Sequence, residues 1–226
     1  MDNKKYISQV LICLFSGMIS PIFMIFISKY YIHRVDTNFM CMMGFSGLIG
    51  FVLEASASSK FDKTKNKIWI LAQILFYLSF WIFIGIFLGT VYICVTDAGY
   101  IVLCVYGFAV LVTLICLIIG LCSKDIKVAK RRNIIWGLII SSLTIIFGAI
   151  TKSHNYFVTL ALLFIVFLCC YYSVKQFNSL KVVKHFNSKS EKLSNIINTS
   201  MDMGFTFVML VLVILAILFP SSDDDD

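Results

Sequence analysis

Between Ile68 and Thr90 the chain reads IWILAQILFYLSFWIFIGIFLGT, twenty-three residues without a single charged side chain. A helix rises about 1.5 Å per residue, so this run is long enough to cross the roughly 30 Å hydrocarbon core of a bilayer. Its apolar residues cover every face of such a helix. That suits a surface of lipid and neighbouring helices, where the backbone can satisfy its hydrogen bonds only within itself. Six further runs of the same kind occupy most of the chain: Ile7–Ser28, Phe39–Ser58, Tyr100–Cys122, Ile134–Ile150, Tyr156–Val174 and Asn198–Phe219. The expected fold is an all-α integral membrane protein, one bundle of about seven transmembrane helices joined by short loops. Composition agrees. Hydrophobic residues make up 60% of the 226 and charged residues 14%, with a mean hydropathy of +0.93, whereas a soluble domain carries charge on about a quarter of its residues.

Orientation follows from the basic residues. Sixteen of the nineteen fall on one side of a seven-span bundle: Lys4 and Lys5, four lysines between 60 and 67, five Lys and Arg between 124 and 132, and five lysines between 175 and 192. Only Lys29, Arg34 and Lys152 fall on the other. Short cytosolic loops carry the excess of positive charge, so the amino terminus is expected in the cytosol. With seven spans the acidic tail Asp223–Asp226 lies on the far side; a last segment that dips and returns would leave it inside. Lys4 and Lys5 ahead of an apolar run resemble a secretory signal. The run is about twice the usual length of one, however, and Ile27-Ser28-Lys29-Tyr30 offers no small-residue cleavage site. An uncleaved first span is expected, with Pro21 a kink tolerated by packing.

The net charge of +7 is explained by loops beside anionic lipid. A nucleic-acid surface would need exposed stacking aromatics, and here the aromatics lie inside the spans. The expected partners are the bilayer, a cation and other membrane proteins, and no nucleic acid. Both a bacterial inner membrane and the ER or Golgi suit this pattern. Cys13, Cys41, Cys104, Cys116, Cys169 and Cys170 fall within spans, where a free thiol packs as a small apolar group. Cys94 stands alone near the outer face, and Cys122 sits at the inner edge. No Cys/His spacing suits zinc, and His33, His154 and His185 lie in separate loops. The Asn198-Thr199-Ser200 sequon falls at the cytosolic membrane edge. No phosphate loop, GxSxG elbow, HExxH or paired intramembrane aspartates appear, so no enzyme and no cofactor is expected.

Two carboxyl groups stand inside spans, Glu54 and Asp202. Each costs about 2.5–3.5 kcal/mol at mid-helix, and such residues face a bundle interior or a water path. Gly47, Gly50 and Ser58 share the helical face of Glu54, a packing face of small residues that lets another helix approach closely. Asn195, Asn198 and Thr206 share the face of Asp202, a polar stripe entering from the cytosolic side. Glu54 and Asp202 are each about four residues, roughly 6 Å, from the inner end of their span. Gln73 and Gln176 occupy similar levels. Two carboxylates and two amides at one depth are expected to line an ion pathway that responds to pH, with a candidate Ca²⁺ site at Glu54 and Asp202.

Three stretches resemble the Bax inhibitor-1 family of seven-span membrane proteins. Gly47–Glu54, GLIGFVLE, is similar to its second span with an embedded acid. Tyr171–Lys181, YYSVKQFNSLK, is similar to the end of its sixth. Ser200-Met201-Asp202 and Ser221-Ser222-Asp223 resemble its carboxyl-terminal region. The resemblance implies a pH-modulated calcium leak and a role in ion homeostasis and protection against cell death. It also marks a departure: the family places an Asp at the end of span six, paired with that of span seven, and this chain has Gln176 there. A shallower pH response is therefore expected. Two other classes fit part of the pattern. The stretch after the second span faintly resembles the corresponding loop of major facilitator transporters, without its Gly and Arg-Lys features. A non-conducting protein that acts by binding other membrane proteins would also look like this. Seven-span receptors and retinal proteins do not fit. Receptors run with the amino terminus outside, and no Lys lies in the last span to carry retinal.

Overall fold

The computed structural model describes residues 3–31, 37–94, 99–123, 156–182 and 186–218. Through them run six helices: α1 Asn3–Tyr31, α2 Thr37–Thr64, α3 Ile68–Cys94, α4 Gly99–Cys122, α5 Tyr156–Ser179 and α6 Lys189–Leu218. Each contains a stretch long and apolar enough to cross a membrane, and the protein is an integral, multi-pass membrane protein. The expected span Ile134–Ile150 and the tail Asp223–Asp226 lie outside the described residues.

Most of the helices outrun their apolar stretches, α2 and α6 by the most. α2 continues past Ser58 to Thr64, and α6 begins at Lys189, ahead of Asn198. Hydropathy marks where lipid ends, whereas a helix continues until its terminal groups are capped. At α6 the cap is visible. The Glu191 N–H donates to Ser188 Oγ at 3.1 Å, and Glu191 Oε2 accepts from the Asn187 N–H at 3.0 Å. This is a near relative of the Ser-x-x-Glu capping box. α1 runs unbroken through Pro21.

The chain divides into two compact units, Met1–Leu103 with Val183–Phe205, and Cys104–Val182 with Thr206–Asp226. In the first, α3 carries the main contacts, with α1 and α2. Glycines set both. Gly44, Gly47 and Gly50 of α2 face Phe87, Ile84 and Phe80 of α3; a Cβ at Gly47 would lie 2.9 Å from Ile84 Cδ1 and one at Gly50 3.3 Å from the Phe80 backbone nitrogen. The pairing runs backwards along α3, so the two helices are antiparallel. Gly85 and Gly89 of α3 take Pro21 with Met24 and Ile25 with Ser28 of α1, in the same order, so α1 and α3 are parallel. Trp81, 1% exposed, fills the space left by Gly17 of α1 and Gly204 of α6. The Tyr6 hydroxyl donates to Asn195 Oδ1 at 2.7 Å and that of Ser200 to the Val10 carbonyl at 3.1 Å, so the first half of α6 runs alongside α1. The starts of α1, α3 and α6 and the end of α2 therefore share one end, and the lysines of 4–5, 60–67 and 189–192 gather there. It is the end that the positive-inside rule assigns to the cytosol.

In the second unit α4 and α5 meet at Gly120, where a Cβ would lie 2.7 Å from Phe177 Cβ. Asn178 Nδ2 donates to the carbonyls of Gly120 and Ser123 at 3.0 and 3.3 Å. Lys181 Nζ donates to the Ser123 carbonyl as well, so two side chains satisfy groups at the end of α4. The buried Cys116 and Cys170 lie side by side, and Tyr106 meets Phe207 edge to face at 5.2 Å. All eight cysteines are unbridged.

Candidate functional site

Glu54 owes its position to Gly50. That glycine lies against the Phe76–Phe80 turn of α3. Continuing the pairing of Gly44, Gly47 and Gly50 with Phe87, Ile84 and Phe80 for one more turn brings Glu54 level with Phe76 and Tyr77, and sets Gln73 one turn nearer the basic end, level with Ala57 and Ser58. Both polar residues are enclosed, Glu54 at 1% exposure and Gln73 at 0%. Neither carboxylate oxygen of Glu54, and neither Oε1 nor Nε2 of Gln73, has a hydrogen-bond partner among the described residues. Gln9 of α1 is half-buried, and its buried Oε1 is also without a partner. The offset at which Pro21 meets Gly85 sets Gln9 at the depth of Gln73. Each unmet buried group costs about 1–3 kcal/mol, so the cluster is expensive unless something occupies it.

Asp202 reaches the same level from α6. Phe51 stacks on Phe205 with ring centroids 4.2 Å apart, and one turn on in that register α6 presents Asp202 opposite Glu54, within reach of its field. Unlike Glu54, Asp202 is exposed. The two carboxyl groups share a depth and not an environment.

Toward the basic end a cleft of about 320 Å³ opens, lined by Phe186 and by the polar residues Ser58, Asp62, Glu191, Ser194, Asn195 and Asn198. Ser58 stands one turn from Glu54, and Asn198 one turn before Asp202, so the cleft ends where the acid level begins. Lys65 Nζ lies between two of its acids, 3.7 Å from Asp62 Oδ1 and 3.6 Å from Glu191 Oε1. The other titratable groups of the helices around Glu54 include Tyr77, whose hydroxyl donates to the Cys13 carbonyl at 2.7 Å, Tyr6, bonded to Asn195, and Lys60, whose Nζ lies 4.9 Å from the Trp69 ring centre. Among the described residues no group of three or more His, Cys, Asp or Glu is placed to hold a metal ion.

The residues singled out in the sequence thus have distinct places. Gly47 and Gly50 pack on α3. Ser58, grouped with them, is half-buried and lines the cleft, with Asn195 and Asn198. Glu54, Gln73 and Asp202 belong to the first unit. Gln176 and Thr206 belong to the second, where the Thr206 hydroxyl donates to Gln176 Oε1 at 3.4 Å. Sequence reading passed over Gln9, Tyr6 and the Asp62–Lys65–Glu191 group. Gln9 was detectable as a polar residue within an apolar span, and Glu191 as the fourth residue of a Ser-x-x-Glu cap. The ion triplet had no local signal, because its members come from two distant segments.

No protein-family model, curated protein or solved structure matches the chain.

Proposed function

We propose that this membrane protein is a cation pathway whose passage responds to protonation of Glu54. What supports the reading is Glu54 itself, enclosed at 1% exposure with neither oxygen partnered among the described residues. Packing does not require an acid there, since Gly47 and Gly50 already make the contact with α3. A carboxyl group stripped of water needs a proton, a cation or ordered water. The polar cleft one turn away offers a route from the basic end, cytosolic by the positive-inside rule. The resemblance to Bax inhibitor-1 proteins adds a class, a pH-modulated calcium leak, with Glu54 and Asp202 as the acids and Ca²⁺ as a permeant ion. No residue is given a catalytic role. The secondary-transporter reading loses ground, because each of the six described helices is continuous and many transporters place broken helices at their midplane.

The test is cation flux through purified protein in vesicles, with Ca²⁺ and K⁺ offered in turn, over roughly pH 5 to 7. The parent is expected to pass a cation with a pH-dependent rate. Glu54→Gln should remove most of that dependence, Asp202→Asn should flatten it, and Gln176→Asp should steepen it. A parent that passes no cation at any pH would replace this reading with a non-conducting protein that acts by binding other membrane proteins.

A further inference from the structure

The acids of the described helices are Glu54, Asp62, Glu191 and Asp202, all in the first unit. Asp62 and Glu191 line the cleft at the basic end. Glu54 and Asp202 follow one turn beyond Ser58 and Asn198 and add to the negative field. Among the described residues no Lys or Arg lines the cleft, although the lysines of 4–5, 60–67 and 189–192 crowd the same end. The cleft-facing positions of α2 and α6 carry acids, hydroxyls and amides. Lys60, Lys63, Lys189 and Lys192 fall on other faces of these helices, where water and salt screen them. The cleft is a negative pocket in a positive surface.

Its lining asks for an occupant. Ser194 is 3% exposed, and its hydroxyl has no hydrogen-bond partner among the described residues. The Ser58 hydroxyl and the Asn198 amide have none either, whereas buried polar groups are normally bonded. At the mouth, Lys65 Nζ stands 3.7 Å from Asp62 Oδ1 and 3.6 Å from Glu191 Oε1. Both distances exceed a hydrogen bond, so the half-exposed ammonium is not clamped there. They also exceed the roughly 2.0–2.6 Å of direct coordination, so an ion in that seat would meet the acids through its own waters. The cleft of 320 Å³ has space for about ten water molecules, enough for an ion with its octahedral shell.

We infer that the cleft between the end of α2 and the start of α6 binds a hydrated divalent cation, Mg²⁺, through its water shell. Asp62 and Glu191 supply two negative charges, which a divalent ion balances and a monovalent one does not. Ser58, Ser194 and Asn198 accept hydrogen bonds from the bound waters. Mg²⁺ suits this lining better than Ca²⁺. It gives up water reluctantly and is held by one or two carboxylates, whereas Ca²⁺ takes about six to eight direct oxygens. Lys65 is a tethered cation that the ion displaces.

The site shares its cleft with the cation-pathway reading but is tested by binding, so either can fail without the other. Purified full-length protein in nanodiscs of zwitterionic lipid is titrated with Mn²⁺, an oxygen-bound octahedral stand-in for Mg²⁺. Electron paramagnetic resonance reads the free ion. The parent is expected to bind a single Mn²⁺ per chain. Mg²⁺ should release it, and so should cobalt(III) hexammine, whose fixed ligands allow contact only through an outer shell. Asp62→Asn and Glu191→Gln should each weaken binding about tenfold or more, the usual loss for outer-shell partners. Glu191→Gln keeps an oxygen for the Asn187 N–H, so the cap of α6 is retained. Ser194→Ala alters no charge and breaks no hydrogen bond of the protein, yet it should weaken binding, as diffuse attraction to acids would not. Lys65→Gly should tighten it. The site is overturned if the parent binds no Mn²⁺ at millimolar concentration, or if binding is unchanged in Asp62→Asn or Ser194→Ala. A weaker Lys65→Gly complex, displacement by Ca²⁺ in preference to Mg²⁺, or failure of the hexammine to compete would overturn it as well.

Discussion

Gly50 shows how much a single missing side chain decides. A Cβ there would sit 3.3 Å from the backbone nitrogen of Phe80, 3.4 Å from its Cα and 3.5 Å from the Phe76 carbonyl oxygen. These are backbone atoms that cannot swing aside, unlike the Ile84 side chain opposite Gly47. Gly50→Leu would force α2 off α3 at a cost of about 1–3 kcal/mol, and would move Glu54, one turn along, away from α3. Leu48 is 38% exposed, so Leu48→Phe should change little. Thermal midpoint and folded yield in detergent would check the contrast, and equal losses for both variants would mean that the packing face is wrong. Glu54 was legible at this scale because an acid in an apolar span is costly. The enclosure of Gln73 was not, since a lone Gln reads the same whether it meets lipid headgroups or a buried acid.

At the scale of the element, the end of α2 carries an unusual residue. Lys65 has a φ of 53°, a left-handed conformation, and its N–H donates to the Phe61 carbonyl at 2.7 Å. This is the position after a helix end where glycine is usual. A side chain there costs about 1–2 kcal/mol. The ammonium recovers part of that by bridging Asp62 and Glu191, an exposed arrangement worth about 0–1 kcal/mol, and by its place at a helix carboxyl terminus. Removing strain and bridge together should therefore leave stability unchanged or raised by up to about 1 kcal/mol. Removing the bridge while keeping the strain should lower it. The expected order of thermal midpoints is Lys65→Gly at or above the parent, and the parent above Lys65→Ala. Equal midpoints for the Gly and Ala variants would show that the backbone at Lys65 carries no strain.

For the whole molecule the governing fact is sidedness. The lysines of 4–5, 60–67 and 189–192 come from four helix ends, and the helix directions of the first unit bring them together. That agrees with a cytosolic amino terminus. Single-cysteine labels placed at Lys63, Lys127 and Lys184 in a background lacking the native cysteines should react from the cytosolic side, and a label at Lys152 from the other. Finding Lys127 and Lys152 on one side would remove the span expected at Ile134–Ile150 and leave six.

The sequence alone determined that the protein lives in lipid, where its apolar runs lie, and that Glu54 and Asp202 are its costly acids. These properties rest on transfer of side chains from water and on the distribution of charge, both read one residue at a time. Helix ends were less legible, because α2 and α6 run on beyond the lipid boundary until Lys65 and Ser188 close them. Only the tertiary structure separated Glu54 from Asp202, enclosing one and exposing the other at the same depth. It alone enclosed Gln73 on α3, turned Ser58 from packing to the lining of a cleft, and set Gln176 beside Thr206. Those outcomes depend on which face of each helix meets which neighbour. In spans apolar on every side hydropathy does not encode that choice; it is made by the close approach that glycine permits at Gly44, Gly47, Gly50, Gly85 and Gly89.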